Sequence, residues 1–352
     1  MKRKLNFAKA VNEALAEAMM SDRNVICYGL GVDDPKGVFG TTLGLQEKFG
    51  PARVFDMPTS ENAMTGVAIG AALNGIRPVM THQRLDFFLL AMDQLVNNAA
   101  KWHYMFGGKA SVPITIRLII GRGWGQGPTH SQNLQSWFAH IPGLKVVAPA
   151  TASDAKGLLL ASIFDDNPVV FLEHRWLHNV EGEVAEGDFR VPLGQAQYLR
   201  KGDALTVVSF SYMTIEALHA LDALEREGVS CDLVDLRTIS PMDWPAIFDS
   251  VQKTGRILAL DTANAAYSVA GKIVARVSRE CFGALKQAPQ ILALPDFPSP
   301  TSPALTKEYY SDAEDIYQAV CRMLDKKVSG EHFHALNSRP HDVPGDWFKG
   351  PF

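Results

Sequence analysis

The sequence predicts an α/β fold with mainly parallel sheets in two successive domains. Short apolar segments with strand character alternate along the chain with longer segments of helical spacing. Several of these strands, such as 112–120 and 204–210, are apolar on both faces, which is typical of a parallel sheet covered by helices on each side. A glycine- and glutamate-rich stretch divides the 352 residues into two parts, each long enough for a domain.

The first predicted domain spans residues 1–180. Its first helix, at 5–20, has apolar residues at helical spacing and many strong helix formers. A long amphipathic helix is predicted at 87–103. The other helices are predicted at 61–73 and 151–164, and the strands at 24–31, 52–55, 77–81, 112–120, 144–149 and 168–173.

Residues 181–203 are interpreted as a linker, and residues 204–328 as a second α/β domain. Residues 329–352 form a polar tail that ends in Trp347, Phe348 and Phe352. In the second domain, strands are predicted at 204–210, 231–236, 256–260 and 291–294, and helices at 214–227, 243–253, 268–283 and 312–326.

Composition and charge argue against two classes of partner. The formal net charge is −4 and no basic block occurs, so neither nucleic acid nor an anionic membrane is expected as a partner. The sequence contains no run of about 18 apolar residues, so no membrane span is expected. The four widely separated cysteines lack metal-ligand spacing and indicate reduced thiols of a cytoplasmic protein.

The stretch from Phe55 to Ala63 combines the end of a strand, a proline and the start of a small, apolar helix. Ser60 is predicted to cap this helix through its hydroxyl. Glu61 then lies in the first turn, where a negative charge suits the helix dipole. From this stretch alone, Glu61 is either a residue that helps the helix start or a carboxyl group with a chemical role.

Polar residues also follow other strands, at the edge where parallel sheets bind ligands. His82, Gln83 and Arg84 are candidates for contact with a substrate, although a solvated loop with Arg84 paired to Asp86 explains them as well. A loop with four glycines over residues 121–127 leads to His130, which can give or take a proton near neutral pH. It lacks the Gly-Lys-Ser/Thr ending of a phosphate-binding Walker loop.

Two further patterns are weak. His174 and His178 have a spacing that suits a metal, but no third ligand is defined. Ser131 beside His130 lies outside any Gly-x-Ser-x-Gly nucleophile elbow, so acyl-enzyme chemistry has little support.

Taken together, the motifs resemble the beta subunit of thiamine-diphosphate-dependent 2-oxo acid dehydrogenases of the pyruvate, branched-chain and acetoin type, in the transketolase superfamily. The resemblance covers roughly residues 5–326 in order. The matching segments are Phe55–Glu61, Gly70–Val79, Ala91–Lys101, Thr129–Gln132, Trp137–Pro149, Asp154–Leu159, Asn167–Glu173, Val234–Pro241 and Pro295–Pro298.

The resemblance implies an N-terminal pyrimidine-binding domain and a transketolase-like C-terminal domain. Glu61 should hydrogen-bond the aminopyrimidine nitrogen of thiamine diphosphate, Phe87 should stack on that ring, and His130 should face the substrate as a proton donor. The resemblance also implies a structural monovalent cation, potassium, near Ile114, Ser162, Ile163, Asp165 and Asn167.

One absence has a consequence for partners. The family's diphosphate and magnesium motif, Gly-Asp-Gly followed about two dozen residues later by Asn, does not occur in this sequence. In two-subunit members it lies on the alpha chain. The resemblance therefore implies that magnesium is held by an alpha subunit, that the enzyme is an α2β2 heterotetramer inactive without it, and that a lipoyl acyltransferase core is a further partner.

Departures from the family pattern leave the substrate open. The segment Thr81–Arg84 and the loop 121–129 differ from the usual dehydrogenase sequence, and Gly127–His130 is closer to transketolase. The first functional hypothesis is decarboxylation of a 2-oxo acid with acyl transfer. The alternatives are a split transketolase-like or acyloin-forming enzyme that uses an aldehyde acceptor, and a non-catalytic subunit that keeps the fold.

Overall fold

Two mainly parallel sheets with helices packed against them form the protein, which confirms the predicted α/β class. The computed structural model describes residues 2–333 and 341–344. The elements of the first part of the chain are β1 (Lys2–Asn6), α1 (Phe7–Ser21), β2 (Val25–Gly29), α2 (Leu45–Phe49), β3 (Val54–Phe55), α3 (Glu61–Leu73), β4 (Arg77–His82), α4 (Leu85–Phe88), α5 (Ala100–Met105), β5 (Thr115–Ile120), α6 (Gln135–His140), β6 (Lys145–Val147), α7 (Ala152–Ile163), β7 (Val169–His174) and β8 (Glu181–Ala185).

The second part of the chain continues the alternation of strands and helices. Its elements are β9 (Gln197–Arg200), β10 (Thr206–Ser209), α8 (Tyr212–Arg226), β11 (Asp232–Asp235), β12 (Thr238–Ser240), α9 (Trp244–Thr254), β13 (Ile257–Asn264), α10 (Val269–Glu280), β14 (Gln290–Leu294), α11 (Pro303–Tyr309) and α12 (Ala313–Met323). Short 3-10 turns occur at Leu89–Ala91, Arg175–Leu177, Phe282–Ala284 and Gly330–Phe333.

The N-terminal sheet has seven strands in the order β12-β6-β7-β5-β4-β2-β3. Every pair in it is parallel except the antiparallel pair of β12 and β6. β5 and β7 are buried along their whole length, because helices cover both faces of the sheet. The apolar run at 112–120 reflects this double burial. The carboxyl ends of β2, β3, β4, β5 and β7 therefore meet at one edge.

The C-terminal sheet has five strands in the order β14-β13-β10-β11-β9, with only β9 antiparallel to its neighbour. Two strands lie inside the segment 181–203 that was predicted as a linker. β8 pairs with β1, and β9 pairs with β11. Residues 329–333 and 341–344 of the predicted tail are described, whereas Trp347, Phe348 and Phe352 lie outside the described residues.

One local prediction is confirmed with a refinement, and another is wrong. The helix predicted over 87–103 is helical throughout, but its hydrogen-bonding pattern changes from α4 through a 3-10 turn (Leu89–Ala91) and a π-helical segment (Gln94–Ala99) to α5. α3 packs against the 3-10 and π-helical parts. Ser60 precedes α3, but its hydroxyl makes no capping hydrogen bond, because its φ of −151° and ψ of 72° depart from the usual capping conformation.

None of the helices in the described ranges is long and apolar enough to cross a membrane.

Candidate active site

The loops that leave β2, β3 and β4 are tied together at the carboxyl edge of the N-terminal sheet. The backbone amide of Gly31 donates to the Asp56 carboxylate over 3.0 Å. The side-chain amide of Gln83 donates to the carbonyl oxygen of Leu30 over 3.3 Å. These bonds join the loops that flank Glu61 and Arg84, at the position where open parallel sheets bind their ligands.

Glu61 is the first residue of α3, and only 4% of its surface is exposed. Its carboxylate makes no hydrogen bond or ion pair within residues 2–333 and 341–344. The helix around it is fixed, because the Thr65 hydroxyl donates to the Glu61 carbonyl over 2.8 Å and the Tyr28 hydroxyl donates to the Met64 carbonyl over 2.9 Å. A carboxylate that is buried, held and free of protein donors is suited to a ligand that donates a hydrogen bond.

Phe87 and His130 are in contact. Their ring centroids are 5.5 Å apart, and the rings meet edge to face at 88°. His130 is exposed, and its Nδ1 lies 3.1 Å from the Thr129 hydroxyl. The loop that carries His130 is tied to α4, because the Gln132 side-chain amide donates to Asp86 over 2.8 Å. The edge thus presents an aromatic ring beside a solvent-accessible imidazole.

The three candidate substrate residues have different environments. Gln83 is exposed. His82 is buried against Phe88 with ring centroids 4.9 Å apart, and burial lowers its pKa to about 4, so its imidazole is neutral near pH 7. Arg84 is 5% exposed, donates one Nη2 hydrogen bond to the Gln126 side chain, and has an Nη1 with no partner in the described part of the chain.

A buried ion pair lies beneath this edge. The Arg117 guanidinium binds both carboxylate oxygens of Glu173, over 2.6 and 2.9 Å, and also donates to the Thr81 hydroxyl over 3.1 Å. Burial alone raises the pKa of Glu173, but Arg117 and the neighbouring His178 outweigh it and hold that pKa below the ordinary value. The pair joins β4, β5 and β7 below the candidate site.

His174 and His178 do not share a helix face, because one ends β7 and the other follows a 3-10 turn. The His174 ring stacks on Tyr212 at 4.7 Å, and His178 Nε2 lies 3.4 Å from Glu173. Within the described ranges, no group of three or more His, Cys, Asp and Glu side chains could hold a metal ion.

Comparisons with known proteins agree on the family. Residues 3–180 match the family described as transketolase, pyrimidine binding domain, and residues 194–316 match transketolase, C-terminal domain. The acetoin:2,6-dichlorophenolindophenol oxidoreductase subunit beta of Cupriavidus necator is 43% identical over 334 residues, which cover 92% of this chain and 98% of that protein. The pyruvate dehydrogenase E1 component subunit beta of Rickettsia felis is 39% identical, covering 89% and 96%.

The chain belongs to the beta-subunit family of thiamine-diphosphate-dependent 2-oxo acid dehydrogenases. The sequence resemblance is thereby confirmed. A solved split-gene transketolase, described as an inactive beta4 tetramer, has a TM-score of 0.74 and 22% identity, covering 92% of this chain and 99% of that one. At this identity, the likeness shows a shared fold alone.

In this beta subunit, Glu61 and Phe87 are the side chains that would hold the pyrimidine end of thiamine diphosphate. Glu61 is 4% exposed and its carboxylate has no donor among the described residues, and Phe87 offers an apolar ring at the same edge. When bound, the cofactor supplies the thiazolium carbon that attacks a carbonyl group. Glu61 would hold a proton at the aminopyrimidine nitrogen, and His130 would exchange a proton with the substrate from the exposed side.

The predicted cation site of the beta subunit already receives two positively charged side chains. Arg77 Nη1 donates to the carbonyl oxygens of Ile163, over 3.3 Å, and Asp165, over 3.0 Å. The Lys145 ammonium pairs with the Asp165 carboxylate, which also accepts a hydrogen bond from the backbone amide of Asn167 over 2.9 Å. These donors occupy oxygens that a monovalent cation would share, and a potassium ion at this point stays a prediction.

Sequence reasoning missed Arg122 and Asp342. Arg122 lies in the glycine-rich loop, with its guanidinium between the rings of Trp176, at 4.4 Å, and Tyr310, at 4.2 Å. The clue for Arg122 was its place between two glycines. Nothing near Asp342 in the sequence indicates that this residue reaches the loop, over 200 positions earlier.

Proposed function

We propose that this beta subunit supplies the pyrimidine-binding half of a thiamine-diphosphate site. Together with an alpha-type chain, it decarboxylates a 2-oxo acid, releasing carbon dioxide and passing the acyl unit to an acceptor. The proposal is supported by Glu61, a residue that is 4% exposed at the start of α3 and whose carboxylate has no donor in the described part of the chain. Phe87 and His130, 5.5 Å apart, supply a ring for the cofactor and a proton donor for the substrate.

We further propose an alpha partner, an acyl acceptor and a cytoplasmic location for this subunit. Because the sequence lacks Gly-Asp-Gly followed by Asn, the alpha chain holds magnesium and the diphosphate in an α2β2 assembly. Exposed aromatic side chains support an assembly: Trp137 is 55% and Tyr267 98% exposed, beside an apolar groove of about 1140 Å³. A lipoyl group of an acyltransferase core is the proposed acceptor. Four buried, unpaired cysteines suit the reducing cytoplasm.

Reconstitution tests the proposed reaction. The isolated chain is expected to turn over 2-oxo acids at less than about 1% of the rate of the reconstituted pair, because it lacks the diphosphate half of the site. The pair, with thiamine diphosphate and magnesium, is assayed with 2-oxo acids, acetoin and ketose phosphates, by release of carbon dioxide and reduction of an artificial electron acceptor. Turnover of ketose phosphates alone would support the transketolase-like alternative instead.

Arg84 is proposed to bind the substrate carboxylate. Its guanidinium is buried beside the loop that carries His130, with an Nη1 that has no partner among the described residues, and such a group gains from an anionic ligand. Arg84→Leu is expected to raise KM for the 2-oxo acid by at least ~10-fold, since loss of a buried charge contact costs roughly 2 kcal/mol or more.

Arg84→Lys keeps the charge but not the paired donors, and it should give an intermediate KM. Acetoin serves as the matched substrate, because it carries a carbonyl group but no carboxylate. An equal rise in KM for acetoin and the 2-oxo acid would assign Arg84 to the shape of the pocket rather than to carboxylate binding.

A further inference from the structure

A residue near the C-terminal end of the chain holds the glycine-rich loop of the N-terminal domain. The backbone amide of Trp124 donates to the carbonyl oxygen of Asp342, and the amide of Gly125 donates to the Asp342 carboxylate, both over 2.9 Å. Asp342 is 5% exposed and lies outside the residues matched by either transketolase domain family. The contact is therefore made by a C-terminal segment beyond the residues that either family model matches.

The loop needs such an acceptor because of its backbone. Trp124 has a φ of 54° and Gly125 a φ of 66°, so two consecutive residues are left-handed. A left-handed tryptophan is unfavourable by on the order of 1 kcal/mol or more, and it persists only where surrounding contacts fix it. Successive amides in this kind of conformation point in similar directions, and here both bond to Asp342, one to its carbonyl oxygen and one to its carboxylate.

A second part of the C-terminal half of the chain, Thr301, also lies against the loop. A Cβ added at Gly127 would lie 2.6 Å from the Thr301 hydroxyl oxygen, and one at Gly125 would lie 3.1 Å from the Thr301 carbonyl oxygen. The loop thus contacts both Thr301 and Asp342, and a side chain at Gly127 would crowd the Thr301 hydroxyl. Arg122, at its start, adds a favourable charge beside the Asp342 carboxylate.

We propose that Asp342 is a positioning residue that fixes the loop 121–130 and, through it, two groups of the candidate active site. Gln126, one residue after the bonded amide of Gly125, accepts a hydrogen bond from Arg84. His130 ends the same loop in contact with Phe87. Asp342 itself touches neither substrate nor cofactor. This inference rests on the proposed function for its kinetic consequence, but not for the structural restraint.

Hydrogen–deuterium exchange of the whole chain tests the restraint without any assay of activity. In Asp342→Ala, the amides of residues 121–130 are expected to exchange at least ~10-fold faster than in the unmodified protein, because both acceptors shift when the side-chain bond is lost. Asp342→Asn keeps an oxygen that accepts from Gly125, so its exchange should stay within about two-fold. Val343→Ala, at a 38% exposed neighbour, is the matched control. Unchanged exchange in Asp342→Ala would overturn the proposal.

Kinetics of the reconstituted pair test the consequence. Asp342→Ala is expected to lower kcat/KM for the 2-oxo acid by at least ~10-fold, because a small misplacement of reacting groups is costly. Asp342→Asn should restore most of it, while Kd for thiamine diphosphate should change less than about two-fold, since the loop does not carry Glu61 or Phe87. Faster exchange with unchanged kcat/KM would remove the positioning role. An unmodified pair inactive on every 2-oxo acid would refute the proposed function, with the exchange result unaffected.

Discussion

Glu61→Gln is expected to lower kcat of the reconstituted pair by about 10²–10⁴-fold, the usual contribution of a positioned acid or base. Glutamine has nearly the same shape but cannot give or take the proton that the aminopyrimidine ring requires. Because the Glu61 carboxylate has no donor in the described ranges, the substitution leaves no protein hydrogen bond broken there. The free energy of unfolding of the variant should therefore stay close to that of the unmodified chain, while its kcat falls.

Glu47→Gln is the matched control for this experiment. Glu47 also lies in the first turn of a helix, α2, but it is exposed and distant in sequence from the site. If a first-turn negative charge were the important property, both variants would lose about 0.3–1 kcal/mol of stability and neither would lose activity. Full activity of Glu61→Gln would remove this residue from the mechanism and favour a non-catalytic subunit.

Glu173→Gln is expected to lower the free energy of unfolding by ~3–5 kcal/mol, the cost of leaving one member of a buried ion pair alone. Arg117 and Glu173 are fully buried, and the variant leaves the Arg117 charge without its carboxylate. A loss of this size corresponds to a fall in Tm on the order of 10 °C. Thermal unfolding followed by circular dichroism measures it.

Two further measurements separate charge from shape in this prediction. The double variant Arg117→Met, Glu173→Leu should recover much of the lost stability, because an apolar pair of similar volume avoids the desolvation cost. The folded state lowers the pKa of Glu173 below its ordinary value of 4.5. Its stabilisation is therefore present above pH 4.5 and disappears as the pH falls through the lowered pKa, so the gap between unmodified and Glu173→Gln chains should narrow in acid. A gap independent of pH would contradict the ionic explanation.

Much of the candidate site was predictable because its residues follow strand ends in the sequence. Glu61, Arg84 and His130 each follow a parallel strand, and the carboxyl ends of such strands meet at one edge whatever the length of the intervening helices. Alternation of strands and helices was enough to predict this gathering. It could not predict that Phe87 and His130 touch, because that contact depends on the path of a glycine-rich loop.

Other features could not be predicted, because they depend on pairs far apart in the chain. The bond between Asp342 and Gly125 joins residues 217 positions apart, and the Arg117–Glu173 pair joins residues 56 positions apart. Neither partner has a local pattern that identifies the other. Within the predicted helix over 87–103, the 3-10 and π-helical parts lie where α3 packs, a contact that local propensity does not record.

The pairing of β12 with β6 limits where the chain can be truncated. Although Thr238–Ser240 follows the start of the C-terminal sheet, it pairs with Lys145–Val147 and completes the edge of the N-terminal sheet. A fragment that stops between the two family segments, after residue 180 and before residue 194, retains the pyrimidine-binding sequence but leaves that edge open. Open edges recruit strands from other molecules. Such a fragment is a candidate for aggregation or strand exchange. The N-terminal sheet therefore needs a strand from the segment that matches the C-terminal family.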